Sequence, residues 1–244
     1  MRFRLKAFAI HIGASACALA VLLGILYLGW YRWPGWYVTN FLHVMSILVG
    51  VDVTMGPLFT LLIANPSKPR RVLARDVGVI VTLQVVALAY GIVTLWGGRP
   101  LYYAYSQREL ETVAASQVPA SEAELARQQN PDFAPHWYSL PRLVYAALPR
   151  GAAMPADSRV DITQMPRYFK SLSQGGSALR ADLQKVDNQF IFTPAEKRLL
   201  KERMAQRGLA VDQPDTLFMI GHDRPVLVVF DLKSLHVEAI IRAN

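Results

Sequence analysis

Three long apolar runs dominate the first 98 residues of this 244-residue chain. A run of roughly 20 apolar residues, at about 1.5 Å of rise per residue, forms a helix that can cross the hydrocarbon core of a bilayer. No Lys or Arg lies within these runs, and only the second is interrupted, by Asp52 and Pro57. The pattern predicts a transmembrane domain over residues 1–98, with spans at about 7–30, 38–64 and 77–96.

A cleavable signal peptide is the alternative for the first run. Residues 1–6 are basic, as the start of such a peptide would be, and residues 14–20 include small side chains suited to cleavage. The apolar run nevertheless continues through residues 21–26. Its length therefore favours an uncleaved first span.

Basic residues flank the spans unequally. Seven of them lie on one predicted side of the membrane, in the N-terminal segment and the second connection: Arg2, Arg4, Lys6, Lys68, Arg70, Arg71 and Arg75. The other side has only Arg32 and Arg99 close to the spans. Because cytoplasmic segments carry the excess of Lys and Arg, these seven residues are predicted to determine the topology, with the N-terminus in the cytoplasm. Three spans then place the C-terminal domain in the periplasm of a Gram-negative bacterium, as part of a multi-pass inner-membrane protein.

The net charge of +8 does not indicate a nucleic-acid partner, because most of the excess positive charge flanks the apolar runs. The second connection, residues 65–71, combines this charge with two prolines and predicts a tight polar turn. The first connection contains Trp33 and Trp36 around Pro34 and Gly35. Trp concentrates where a bilayer meets water, so this connection is predicted to be a short interfacial loop.

Residues 99–244 are predicted to form one periplasmic α+β domain. The expected fold class is thus a membrane protein with three transmembrane α-helices followed by a C-terminal α+β extracytoplasmic domain. Strands are predicted at 101–105, 217–220, 226–231 and 237–241. Helices are predicted at 121–129, ending at 168–172, and from a capping box at Thr193 and Glu196 to near Gly208, with residues 190–192 packed in the core.

Asp52 is the feature within the spans that most needs an explanation. A carboxylate near the bilayer midplane is costly, and such residues usually face a protein interior or water. No Lys or Arg in the first or third run can pair with it. Three interpretations remain open: a neutral Asp52 hydrogen-bonded to Thr82 or Gln84, recognition of a partner chain, or movement of protons or ions. Gly56 and Pro57 follow closely and predict a bent or closely approached helix.

The chain is poor in catalytic and metal-binding signatures. The single cysteine, Cys17, excludes an intrachain disulfide, and the outer domain lacks nucleophile, zinc and phosphate-loop motifs. His11 and His43 are interpreted as interfacial residues. The histidines of the outer domain are scattered and predict no cofactor, metal site or enzyme: His136, His222 beside Asp223, and His236. A basic helix face is either solvated or a docking surface and does not predict one either; it consists of Lys197, Arg198, Lys201, Arg203 and Arg207.

The first 98 residues resemble the TfpX/TfpZ family of type IV pilin accessory proteins. The resemblance lies in the aromatic segment 29–37, in residues 50–58 around Asp52, and in segment 65–71 leading into Arg75 and Asp76. It is diffuse over the outer domain and brings no catalytic residues. The resemblance implies an inner-membrane protein that assists the assembly, stability or function of a cognate type IV pilin.

The resemblance to pilin accessory proteins implies the major pilin and the pilus assembly machinery as partners. Partner-binding residues are predicted to be Asp52, Gly56, Pro57, Trp33 and Trp36, with the spans holding the pilin helix and the outer domain contacting its head. Three alternatives remain: a membrane-anchored sensory or regulatory protein with a ligand-reading domain, a membrane-anchored enzyme, and a proton-coupled component that uses Asp52.

Overall fold

The computed structural model describes residues 2–63, 69–149, 151, 160–221 and 225–243. The chain divides into two compact units. The first comprises Met1–Arg32 and Asn40–Gly98, and the second comprises Trp33–Thr39 and Arg99–Asn244. Three long apolar helices followed by a mixed sheet confirm the predicted fold class.

The first unit consists of the three long helices. They are α1 (Arg2–Gly29), a second helix built from α3 (Phe41–Leu48), a π-helical segment (Val49–Met55) and α4 (Gly56–Ile63), and α5 (Arg70–Gly98); the short α2 (Gly35–Val38) belongs to the second unit. All three are long and apolar enough to cross a membrane. Helices α1 and α5 extend beyond the predicted spans, because a helix can continue past the hydrocarbon core into polar surroundings.

The start of α5 corrects the predicted turn between the second and third spans. Arg70 and Arg71 form the first helical turn and Arg75 the second, whereas the sequence pattern placed the first two in a non-helical turn. Pro69 directly precedes the helix, where proline is tolerated because no intrahelical partner is lost. Lys68, with residues 64–67, lies outside the described residues.

Close contacts join the three long helices to one another. A Cβ atom at Gly91 would overlap the Leu48 side chain, so α3 and α5 approach more closely than larger residues would permit. The buried Tyr31 stacks on Phe41 at 4.4 Å between ring centroids, and its hydroxyl donates to the Leu95 carbonyl at 2.6 Å. Helix association here rests on small residues and a buried hydrogen bond, as is usual for helices in lipid.

A seven-stranded mixed sheet forms the second unit. Its strands are β1 (Pro100–Ser106), β2 (Glu109–Ala114), β3 (Arg142–Ala146), β4 (Phe169–Ser171), β5 (Thr216–Ile220), β6 (Val226–Phe230) and β7 (Val237–Arg242). Their order is β4-β3-β1-β2-β5-β6-β7. The β1–β3 and β2–β5 pairs are parallel and the other four are antiparallel. The strands predicted from the sequence are β1, β5, β6 and β7.

The helices of the sheet domain are α6 (Ala120–Gln129), α7 (Gly176–Asp182) and α8 (Pro194–Gln206). The predicted capping box at the start of α8 is confirmed: the Thr193 amide donates to Glu196 Oε2 at 2.8 Å, and the Glu196 amide donates to Thr193 Oγ1 at 3.3 Å. Gly208 follows the helix with φ of +72°, a conformation that favours glycine. Leu200 and Met204 pack from α8 onto the sheet.

Two local predictions in this domain are wrong. The helix end predicted at residues 168–172 is instead a 3-10 turn, Pro166–Tyr168, followed by the edge strand β4. Proline at the start of that turn and pairing of β4 with β3 explain the difference. Phe192 is buried as predicted, but Phe190 is exposed and packs edge-to-face with the Phe218 ring.

The first connection, Trp33–Thr39, is part of the sheet domain. Val38 is 1% exposed and packs in the core with Leu217 and Met219 of β5. A Cβ atom at Gly221 would lie 2.6 Å from Val38 Cα, so only glycine fits there. The sequence predicts an interfacial loop, and the structure adds that this loop supplies a core residue to a domain encoded far downstream.

Asp215 makes the stability of this domain dependent on pH. The residue is 4% exposed, and burial, together with the negative charge of Glu238, raises its pKa to about 6 despite a backbone hydrogen bond that lowers it. Because the folded-state pKa is raised, Asp215 favours the folded state most below its ordinary pKa of 3.8, and that contribution is lost as the pH rises through about 6.

Asp215→Asn is therefore expected to raise the unfolding temperature at about pH 8 and to change it little at about pH 4. The gain corresponds to roughly 2–3 kcal/mol, since each unit of pKa difference is worth about 1.4 kcal/mol. Thermal unfolding of the full chain in detergent, measured across this pH range, checks the expectation. Asp212→Asn, which removes an exposed carboxylate nearby, should leave the profile unchanged.

Candidate functional site in the helical unit

Asp52 occupies the π-helical segment at the middle of the second long helix. It is 5% exposed, and neither carboxylate oxygen has a hydrogen-bond partner among the described residues. Pro57 lacks an amide hydrogen, so the Val53 carbonyl has no helical donor at that position, which favours local rearrangement of the helix. Such π-helical turns are often found at functional sites. A buried carboxylate without a donor is the strongest candidate for a functional group in this unit.

Gln84 of α5 reaches Asp52 across the helices, as one sequence-based interpretation proposed. Its side-chain Nε2 donates to the main-chain oxygen of Asp52 at 3.0 Å, so this bond leaves the carboxylate out. The alternative partner, Thr82, is exposed and donates to the Gly78 carbonyl of its own helix at 2.8 Å. Pairing through Thr82 is therefore wrong.

His11 lies within this site, where its ring contacts two other helices, which the interpretation from the sequence did not anticipate. Its Nδ1 is 2.6 Å from Thr60 Oγ1, and its Nε2 is 2.8 Å from Gln84 Oε1. Side chains from all three long helices therefore meet in a single network: His11 from α1, Thr60 from the second long helix and Gln84 from α5. We call these three residues, together with Asp52, whose main-chain oxygen accepts from Gln84, the polar cluster. The sequence showed isolated polar residues within the apolar runs, but periodicity alone did not connect them.

Gly56 makes the close approach of α5 possible. A Cβ atom at this position would overlap the amide group of Gln84, so a larger residue would displace the Gln84 side chain. Thr60, one turn later, donates to the Gly56 carbonyl at 3.2 Å and thereby keeps its hydroxyl oriented in the cluster. Gly56 and Pro57 are both buried, so they shape the polar cluster from within the unit.

An apolar cleft of about 270 Å³ opens beside the polar cluster. Asp52, His11 and Gln84 are among the residues that line it. Small residues of α1 form one wall, at Ala14, Ser15 and Ala18, and α5 contributes Val81, Val85 and Leu88. Small side chains allow the backbone of another helix to approach closely, and buried polar groups in lipid attract hydrogen-bonding groups of a partner. The cleft thus has the composition of a docking site for an apolar helix that carries a donor.

The other candidate residues do not converge on a site. His43 and His236 are exposed, and exposed His136 stacks on Tyr138 at 5.3 Å. His222 and Asp223 lie outside the described residues. Among the residues described, no group of three or more His, Cys, Asp or Glu side chains is arranged to hold a metal ion.

The basic face of α8 makes several structural contacts. Lys201 forms an ion pair with Asp187, and Lys197 donates to the Asp187 carbonyl at 2.7 Å. Arg203 and Arg207 donate to main-chain carbonyls of β7. Trp33 and Trp36 lie 5.9 Å apart between ring centroids, and they line a separate cleft of the sheet domain with these arginines.

Three membrane-length helices joined to a mixed-sheet domain define the chain as a small membrane protein. No protein-family model and no solved structure matches the sequence. It is similar to the fimbrial assembly protein of serogroup I from Dichelobacter nodosus, with 23% identity over 199 residues, which are 80% of this chain and 77% of that protein.

Two further proteins of the same organism are similar. The fimbrial assembly protein of serogroup E1 is 22% identical over 191 residues, which are 77% of this chain and 74% of that protein. The fimbrial assembly protein of serogroups C1 and C2 is 29% identical over 99 residues, which are 41% of this chain and 76% of that protein.

Proposed function

We propose that this chain is a non-enzymatic inner-membrane accessory protein of the TfpX/TfpZ type, which assists the assembly of a cognate type IV pilin. Similarity to three fimbrial assembly proteins supports a role in pilus assembly, and two of these similarities extend over about four fifths of the chain. The residues around Asp52 and in segment 65–71 that resemble the pilin accessory family support the narrower assignment.

The observation that carries this function is the cleft beside Asp52. A protein that holds a single-span subunit within the bilayer needs an apolar groove with a polar group that fixes the register of the bound helix. The cleft offers small residues along α1 and a buried carboxylate that lacks a partner among the described residues. In the proposed mechanism, a hydrogen-bond donor on the pilin helix reaches Asp52, and the bond from Gln84 to the Asp52 main-chain oxygen fixes the backbone that carries the carboxylate.

The proposed topology has a cytoplasmic N-terminus and a periplasmic sheet domain. The seven basic residues of the N-terminal and second connecting segments support this orientation. A further argument comes from Val38, because a loop whose residue is buried in the sheet domain must lie on the same side of the membrane as that domain. With three spans, the first connection and the sheet domain lie on the same side of the membrane, and the N-terminus lies on the opposite side.

Co-purification of the major pilin from solubilised membranes tests the proposal. Asp52→Leu is expected to reduce pilin recovery about tenfold, since one lost buried hydrogen bond in a membrane costs on the order of 1–2 kcal/mol. Asp52→Asn keeps the shape and the acceptor oxygen, so its recovery should fall between those of Asp52→Leu and wild type. Thr54→Leu removes a polar group from an exposed position of the same π-helical segment and serves as the matched control.

Equal recovery of pilin with wild type and Asp52→Leu would remove Asp52 from the mechanism. Normal piliation in a strain that lacks this protein would contradict the accessory function itself. The wild-type and deletion strains should therefore be compared for surface pili, and the wild-type protein and Asp52→Leu for pilin recovery.

A further inference from the structure

The main-chain oxygen of Asp52 lacks the donor that its own helix would normally supply. In the π-helical segment, the Gly56 amide donates to the Val51 carbonyl, five residues earlier. In that register the donor to the Asp52 carbonyl would be Pro57, which has no amide hydrogen. In an α-helical register the donor would be Gly56, whose amide is already bonded to Val51. The helix therefore leaves the Asp52 carbonyl without a main-chain donor.

A side chain of α5 supplies the missing donor. Gln84 Nε2 donates to the Asp52 main-chain oxygen at 3.0 Å, and Gln84 is only 9% exposed. The chemistry fixes the orientation of this carboxamide, because a carbonyl oxygen can only accept a hydrogen bond. The other end of the carboxamide, Oε1, then accepts from His11 Nε2 at 2.8 Å. One carboxamide thus bonds to a carbonyl of the second long helix and to a ring nitrogen of α1.

Gly56 leaves the space that this bond needs. A Cβ atom on Gly56 would lie 2.2 Å from Gln84 Nε2, the atom that donates to Asp52. Three features therefore occur together: a proline that removes a main-chain donor, a side-chain amide that replaces it, and a glycine that admits the amide. An unpaired carbonyl is costly where no water can bond to it, so the replacement stabilises the π-helical segment.

We propose that Gln84 is a positioning residue for Asp52: its carboxamide takes the place of the amide hydrogen that Pro57 lacks, and it holds the π-helical segment in the register that keeps Asp52 at the cleft. Hydrogen bonds in a π-helix span five residues instead of four, so conversion of the segment to an α-helix would rotate Asp52 about the helix axis. Gly56 and Pro57 then act through the backbone of Asp52. The inference rests on the proposed function only where pilin binding is measured.

Unfolding of the full chain in mixed detergent micelles, followed by circular dichroism, tests the replacement of one donor by another. Gln84→Met keeps the length of the side chain and removes its hydrogen bonds, so it is expected to raise the unfolding equilibrium constant about tenfold. Pro57→Ala restores a main-chain amide. In that background, Gln84→Met should raise the constant at most about threefold, because only the contact with His11 is then lost.

Thr82→Val is the matched control, since it removes an exposed hydroxyl of α5 that bonds within its own helix. It should change the unfolding equilibrium constant by the same factor with Pro57 and with Ala at that position. An equal effect of Gln84→Met in the two backgrounds would overturn the proposal, because Gln84 would then not replace the donor that Pro57 lacks.

Pilin recovery tests whether Gln84 acts through Asp52. Gln84→Met and Gly56→Ala should each reduce recovery about as much as Asp52→Leu, by roughly tenfold. Combining either with Asp52→Leu should cause no further loss. An additional loss would show that Gln84 acts by another route and would overturn the positioning role. If Asp52→Leu alone leaves recovery unchanged, the proposed function fails, and the unfolding measurements still decide whether Gln84 replaces the missing donor.

Discussion

Val38→Asp is expected to unfold the sheet domain or to leave it barely stable. The substitution replaces a fully packed side chain with a carboxylate among Leu217, Met219 and other apolar core residues. An uncompensated charge in such a position costs about 4–5 kcal/mol, and a typical domain is stable by only about 5–15 kcal/mol. Thermal unfolding of the full-length protein in detergent, followed by circular dichroism, measures the loss.

Asn40→Asp is the matched control for this experiment. It introduces the same charge two residues away, at an exposed position that precedes α3. Its unfolding temperature should remain close to that of wild type. Similar unfolding temperatures for Val38→Asp and Asn40→Asp would show that the first connection is not part of the folded core.

Glu122→Ala is expected to destabilise the same domain through a different mechanism. Glu122 of α6 and Arg167 form an ion pair with 3.1 Å between Oε2 and Nε, and their side chains are only 10% and 15% exposed. Removing one partner of such a pair leaves an uncompensated buried charge, which costs about 3–5 kcal/mol. The guanidinium also lies over the Tyr168 ring, 4.7 Å from its centroid. Chemical denaturation of the full chain measures the change.

The neighbouring pair of Glu124 and Arg127 provides the control, because it lies on the exposed surface of the same helix. Water screens an exposed ion pair, so Glu124→Ala should have only a small effect on stability. A loss for Glu122→Ala no greater than that for Glu124→Ala would contradict the structural importance of the buried pair.

The sequence was most informative where one physical requirement dominates. Crossing a bilayer requires long uncharged runs, and these three runs are the three long helices. Strands β5, β6 and β7 were predicted because they are rich in β-branched and apolar residues. The short strands β3 and β4 follow segments with several prolines, so local preference concealed them. Their conformation comes from pairing with β1 and with each other, which the local sequence does not encode.

The candidate site was only half predictable for a similar reason. Asp52 was identifiable because a lone acid in an apolar run is costly whatever surrounds it. His11 was assigned to an interface because it lies near the start of its span. Its contacts with Thr60 and Gln84 depend on the relative rotation of three helices, which the sequence pattern leaves undetermined. The absence of a cofactor and of catalysis stays a prediction.

The burial of Val38 beneath β5 has a consequence for biosynthesis. The first connection leaves the ribosome long before the strands that enclose Val38. The Val38 side chain therefore has no core to pack into while most of the domain is still being synthesised. The core can close only after β5 and β6 have been synthesised. A product truncated before Thr216 would retain all three long helices and still lack the strands that enclose Val38.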